Sequence, residues 1–254
     1  MGLRAQALHL QKGGTDILKG VDFRAGDGQL VGVLGPSGSG KSTLLLAMAG
    51  FWRADKGRVT LDGQDLYASF EQLKRDIGFV PQDDIVHRSL TVESVLSYAA
   101  KLRLPDFSDD ARQGRVDGVI HTLDLANRRD HRVRNLSGGQ RKRVSVGVEL
   151  VMRPRVLFAD EPTSGLDPAL EHELTGTFRQ LTEDGSIVVL TTHVMTSIDM
   201  LDVLCVIHGG RVAYFGPTEQ VKGYFNVDDF ADIFRRLEEG SPLEWARRYV
   251  SEYA

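Results

Sequence analysis

Short runs of consecutive apolar residues, each stopped by a polar cluster, recur along this chain. Leu30–Leu34, Val156–Ala159, Ile187–Thr191 and Val203–Ile207 are the strongest, and runs of this length with polar or glycine-rich borders read as strands buried on both faces. Segments with helical cues lie between them, so the alternation predicts an α/β fold with a parallel sheet covered by helices. From Gln82 to Met152 the strand pattern gives way. Thr91 and Ser108 there are candidate N-caps, and Val116, Val119, Ile120 and Leu123 recur at helical spacing. This stretch reads as an inserted helical subdomain over about 83–153. Leu8-His9-Leu10, Val21-Asp22-Phe23 and Val59–Gly63 read as short antiparallel strands, and Val203–His208 with Arg211–Phe215 as a hairpin closed by Gly209-Gly210. Val227–Glu239 and Leu243–Tyr253 look helical and charged, and the pattern assigns them no task.

The first strong run leads straight into Gly35-Pro36-Ser37-Gly38-Ser39-Gly40-Lys41-Ser42-Thr43, which matches the phosphate-binding pattern G-x-x-x-x-G-K-[ST]. A helical segment, Leu44–Gly50, follows. A strand, a glycine-rich loop and a helix in that order turn successive backbone N–H groups and the positive end of a helix dipole toward one point. That point suits the triphosphate of ATP or GTP. Lys41 would reach the β and γ phosphates, and the Ser42 hydroxyl would sit on a bridging Mg2+. A second run, Val156–Ala159, delivers the adjacent carboxylates Asp160 and Glu161. In a phosphate-loop nucleotidase the first orders the metal shell and the second polarises the attacking water. Thr192-His193 ends a third run, and ligands of open α/β sheets collect at the carboxyl ends of strands, so the three clusters are expected at one site.

Composition narrows the partners. The formal net charge is −4, without blocks of like charge, which gives no electrostatic reason to expect nucleic acid. The single cysteine, Cys205, lies within an apolar run and reads as a small buried hydrophobe rather than half of a disulfide. His9, His87, His121, His131, His172 and His208 have no metal-ligand spacing. The apolar stretch Leu44–Trp52 is far shorter than the roughly 20 residues of a membrane helix, and the N-terminus has neither a secretory nor a myristoylation pattern. The chain is expected in the cytosol unless another polypeptide carries it to a membrane.

Leu136-Ser137-Gly138-Gly139-Gln140 precedes a helical run. Ser137 with Gln140 fits a capping box, whereas the two glycines would also let an anion approach the helix N-terminus. Both readings stand at this point.

In order along the chain, Gly35–Thr43, Gln82, Leu136–Gln140, Asp160-Glu161, Ser164-Gly165-Leu166-Asp167 and His193 resemble the Walker A, Q-loop, signature, Walker B, D-loop and H-switch of ABC-type ATPases. The resemblance spans roughly Leu3–Gly216. It implies a RecA-like core with an antiparallel β subdomain and the helical insert, a nucleotide-binding domain over 1–216, and a C-terminal helical extension over 217–254. It also implies a head-to-tail dimer. ATP would lie between the phosphate loop of one copy and Ser137, Gly138, Gly139, Gln140 and Asp167 of the other, with Ser42 and Asp160 around Mg2+, Gln82 on Mg2+ or the lytic water and reporting nucleotide state into the helical subdomain, Glu161 as general base, and His193 holding the γ-phosphate and orienting Glu161. Val80–His87, Leu90-Thr91-Val92, Gln140–Leu150, Thr163–Asp167 and Gly209–Pro217 are similar to the G (white-type) subfamily of exporters. Tyr224–Asp232 with Glu244-Trp245-Ala246 resembles bacterial members that carry forkhead-associated domains. The resemblance thus implies a membrane domain after this module, forkhead-associated domains before it, and residence on the cytoplasmic face of the membrane, with Asp83–Thr91 facing the membrane partner. A soluble ABC-type ATPase of translation or DNA repair is the alternative, and a nucleotide-binding module with little turnover is a third reading. One departure stands out. The position where many members stack an aromatic ring on adenine falls near Lys12, in Gln11-Lys12-Gly13-Gly14, with no aromatic nearby, which predicts loose purine selection.

Overall fold

Two long strands, β1 (Gly2–Lys12) and β2 (Thr15–Gly26), pair antiparallel across the Gly13-Gly14 turn. The computed structural model describes residues 2–193 and 196–253. Both strands are far longer than the three-residue pieces expected from sequence. The register shifts between Ala5 and Leu8, where Ala7 has φ 48°, and an extra residue in a strand breaks the alternation that sequence reading relies on. The next strand, β3 (Leu30–Leu34), is buried throughout and feeds α1 (Lys41–Met48). Then come β4 (Lys56–Leu61), β5 (Gln64–Asp65), the short α2 (Phe70–Leu73) and β6 (Ile77–Val80). The insert supplies α3 (Val92–Arg103), α4 (Asp109–Thr122) and α5 (Gly138–Leu150). Thr91 and Ser108 cap α3 and α4 as their side-chain chemistry predicts. Chain order continues with β7 (Val156–Ala159), α6 (Pro168–Glu183), β8 (Ile187–Thr191), β9 (Val203–His208), β10 (Arg211–Pro217), α7 (Thr218–Phe225), α8 (Asp232–Glu238) and α9 (Pro242–Tyr253).

The strands form two sheets, ordered β2-β1-β4-β5 and β10-β9-β3-β8-β7-β6. The first is antiparallel; in the second, β9, β3, β8, β7 and β6 run parallel and β10 folds back on β9. Leu44, Leu45, Ala47 and Met48 of α1 share one apolar core with Leu3, Leu8 and Phe23 of the antiparallel sheet. Because β3 and β7 both end on the same side, their C-terminal residues Leu34 and Ala159 bring the phosphate loop and the Asp160-Glu161 pair together.

The residues after Gly216 are not a detached extension. Val221, Tyr224, Phe225, Ile233, Leu237 and Trp245 are buried in the same core as Leu30, Leu34 and Val80. The Trp245 indole donates to Leu237 O at 3.2 Å, and its ring lies 5.1 Å from that of Phe225. The hairpin turn joins this layer to the phosphate loop. A Cβ on Gly209, which has φ 53°, would sit 2.7 Å from Pro242 Cγ, and Gly210 N donates to Ser39 O at 3.0 Å.

Candidate functional site

The phosphate loop is shaped by backbone conformations that side chains resist. Gly35 has φ 155°, and a Cβ there would meet Ile207 O at 2.2 Å, so only glycine lets the loop lie this close to β9. Gly40, at φ 104°, opens α1 without a side-chain cap. By contrast, Thr91, Ser108, Ser137 and Asp167 each cap the helix that follows them. An uncapped helix N-terminus next to a glycine-rich loop is built to receive an anion. Lys41 is buried and donates to Gly35 O at 2.8 Å and Pro36 O at 3.1 Å, so it folds back over the loop's own carbonyls. Burial lowers its pKa from the usual lysine value, and Glu161 and Asp160 oppose that shift.

The carboxylates stand beside the loop. Ser42 Oγ donates to Asp160 Oδ1 at 3.0 Å, so a hydroxyl and a carboxylate from the two motifs touch. Both are hard oxygen donors of the kind Mg2+ prefers, and Mg2+ usually takes only one or two protein ligands beside phosphate and water. The donor set fits that ion. Glu161 has φ 44°, an uncommon conformation for a residue with a side chain. Its carboxylate Oε2 accepts from Gln82 Nε2 at 3.3 Å and lies 3.4 Å from His193 Nδ1. Glu161 is therefore the point where three separated sequence motifs converge.

Ser137, Gly138, Gly139, Gln140 and Asp167 lie together elsewhere. Ser137 Oγ accepts from Gln140 N at 3.3 Å, and Gln140 Oε1 accepts from Ser137 N at 3.1 Å, so the capping box forms in this conformation. The box leaves the amides of Gly138 and Gly139 unused. Cβ atoms on those glycines would face Leu166 and Leu170, next to Asp167, which caps α6. Ser137, Gly138 and Asp167 are exposed, and among the described residues no hydrogen bond joins this rim to the phosphate loop.

A family described as "ABC transporter" matches residues 18–164. This chain belongs to the ABC transporter family. The cassette is thus an ATPase domain. Over 237 residues it is 43% identical to the "ABC transporter ATP-binding/permease protein Rv1747" of Mycobacterium tuberculosis (strain ATCC 25618 / H37Rv), covering 92% of this chain and 27% of the relative. It is 35% identical over 244 residues to "ABC transporter G family member STR2" of Petunia hybrida, covering 89% and 34%. The cassette therefore spans about a quarter to a third of the length of these relatives. Among solved structures, cbiO1 from Clostridium perfringens, described as part of the ABC transporter complex cbiONQ, superposes with a TM-score of 0.82 at 27% identity, covering 96% of each chain. A nucleotide-free ATP-binding cassette superposes with a TM-score of 0.79 over 89% of this chain and 96% of that one; at 24% identity it speaks for the fold alone.

Within the ABC cassette, two residues of the site escaped sequence reading. Thr191, fully buried, donates from Oγ1 to Asp160 Oδ1 at 2.6 Å and accepts from Glu161 N at 2.7 Å. Its place at the polar end of an apolar strand was the available signal. Lys142 is buried beneath the segment that carries Gln82, and no local pattern marks it. The expectation at Lys12 needs correction. An aromatic does lie there in space, since Lys12 Nζ sits 4.0 Å from the centre of the Trp52 ring. Trp52 comes from the loop after α1, forty residues on in sequence, so a search of Lys12's sequence neighbours misses it.

Proposed function

We propose that this cassette is the ATP-hydrolysing motor of a membrane exporter, working as a head-to-tail pair of copies with ATP held between them. The observation that carries this reading is the separation of two half-sites. The phosphate loop, Asp160, Glu161, Gln82 and His193 make one cluster, whereas Ser137–Gln140 and Asp167 make another, exposed at Ser137, Gly138 and Asp167 and joined to the first by no hydrogen bond among the described residues. Each half suits one side of a triphosphate, and a second copy turned by a two-fold axis completes both sites at once. In this arrangement Lys41 would turn from loop carbonyls to phosphate oxygens, Ser42 and Asp160 would hold Mg2+, and Glu161 would take the proton of the attacking water. When bound, Mg2+ would supply neutralisation of the developing phosphate charge. Gln82 and His193 contact the Glu161 carboxylate, and in this reading His193 would reach the γ-phosphate.

The membrane partner is proposed from a groove on the helical insert. Ile85, Val86, Leu90, Tyr98 and Leu102 line an apolar depression of 540 Å³ in which Ile85 and Leu102 are strongly exposed. Exposed apolar surface of this kind marks a docking face. Among the described residues no helix is long and apolar enough to cross a membrane; the transmembrane part would be another segment or chain, expected after this module from the subfamily resemblance. By subfamily resemblance, forkhead-associated domains would precede it and the cassette would lie on the cytoplasmic face.

The test is the solution mass of Glu161→Gln with and without Mg-ATP, together with its hydrolysis rate. Binding retained, turnover reduced by about 10²–10⁴-fold as for loss of a general base, and an ATP-dependent shift from monomer to dimer support the proposal. Wild-type turnover refutes the general-base role. A dimer unaffected by Ser137→Arg refutes the head-to-tail arrangement.

A further inference from the structure

Lys142 is a buried cation whose partners all belong to one short segment. It lies one turn into α5 and is 5% exposed. An ammonium group is stable out of water only when it is hydrogen-bonded and paired. Its Nζ donates to Gln82 O at 2.7 Å and Pro81 O at 3.3 Å, and it pairs with Asp84 Oδ1 at 3.3 Å. Two carbonyls accept hydrogen bonds from the ammonium, and the carboxylate balances its charge as an ion pair. Arg141 adds a weaker contact to the same carboxylate, at 3.9 Å. Of Gln82 itself, Lys142 holds the backbone carbonyl and not the side chain. The Gln82 side chain points away toward Glu161 Oε2, at 3.3 Å.

We propose that Lys142 is a positioning residue for hydrolysis: it fixes the backbone at Gln82 so that the Gln82 amide reaches Glu161. This rests on the function proposed above. Lys142 rides on the helix that begins with Gly138, Gly139 and Gln140, about 6 Å away along the axis. Any movement of α5 when Ser137–Gln140 meet a partner copy's nucleotide is therefore delivered to Gln82, and through it to the carboxylate of the other site. A side chain on a mobile loop could not do this. One on a helix of 13 residues can.

The experiment is a double-mutant cycle on the 254-residue chain with Lys142→Met and Gln82→Ala, reading kcat, ATP affinity and thermal midpoint. Lys142→Met is expected to lower kcat at least tenfold with ATP affinity within twofold of wild type. Added to Gln82→Ala, it should lower kcat no further, since there is then no amide left to position. A multiplicative fall in the double variant, or a folded Lys142→Met with kcat within twofold of wild type, overturns the proposal. If Lys142→Met lacks a cooperative unfolding transition, Lys142→Arg takes its place in the cycle under the same criteria, because a planar guanidinium cannot occupy the same three-partner socket. Glu161→Gln is measured alongside. Wild-type turnover in that variant removes the Glu161 reading and Lys142's role with it, whereas an inactive Glu161→Gln beside a multiplicative cycle removes only the role of Lys142.

Discussion

Replacing Thr191 by valine keeps the shape of a fully buried side chain and deletes one hydroxyl, which makes it a sharp probe of the carboxylate cluster. That hydroxyl donates to Asp160 Oδ1 at 2.6 Å and accepts from Glu161 N at 2.7 Å. Loss of a hydrogen bond to a charged group costs about 1.5–3 kcal/mol, and leaving the part-buried Glu161 N–H without its partner adds about 1 kcal/mol. The sum, about 2.5–4 kcal/mol, corresponds to a fall in thermal midpoint of about 5–15 °C for a domain of this size. Function should suffer too. Glu161 sits at φ 44°, a conformation that persists only when its surroundings hold it, and the Thr191 hydroxyl is the side-chain group that holds its amide. Calorimetry and steady-state hydrolysis of Thr191→Val, with Thr191→Ser as the variant that restores the hydroxyl, make the comparison. A Thr191→Val protein within about 1 kcal/mol of wild type and with unchanged kcat would refute the argument.

Three further outcomes follow from the geometry. Trp245→Ala should cost about 3–5 kcal/mol, because the indole is buried against Phe225 and hydrogen-bonded to Leu237 O; a chemical denaturation midpoint close to wild type would contradict its place in the core. Burial lowers the pKa of Lys41 below 10.5 while bound phosphate favours the protonated form, so ATP affinity should hold through neutral pH and weaken as pH rises through that lowered pKa. An affinity constant up to pH 10.5 would reject this, as would an affinity that improves with rising pH. Because Lys12 covers the Trp52 ring face, ATP and GTP should compete with affinities within a few-fold of each other, and a strong ATP preference would mean that the ring is free to stack.

The parts of this site that could be read from sequence are those whose chemistry is local. Nine consecutive residues make the phosphate loop because its glycines, lysine and hydroxyl act through one continuous backbone, and Asp160-Glu161 follow a strand that any buried-run pattern detects. Thr191 and Lys142 were illegible for the opposite reason. Their partners lie 31 and 60 residues away, and a threonine ending a strand or a lysine inside a helix looks ordinary until the sheet order is known. The fold shows the same division. Strands buried on both faces announced themselves, whereas the register shifts in β1 hid an 11-residue strand. In α7–α9 the charged exposed faces concealed the buried Phe225, Ile233 and Trp245. Trp52 beside Lys12 is a contact between the end of β1 and the loop leading into β4, across forty residues of sequence.

The route from Pro242 through Gly209 and Gly210 to Ser39 bears on how such a cassette can be exchanged between polypeptides. Every nucleotide motif ends by His193, so a chimaera built on motifs alone would place its junction soon after Pro217. That cut would remove the wall against which the hairpin turn rests, Tyr224, Phe225 and Trp245 with it, and leave the core surface they cover at Tyr214 to a foreign neighbour. The transplantable unit runs through Tyr253, and a graft that respects it carries its own support for the phosphate loop wherever it is spliced.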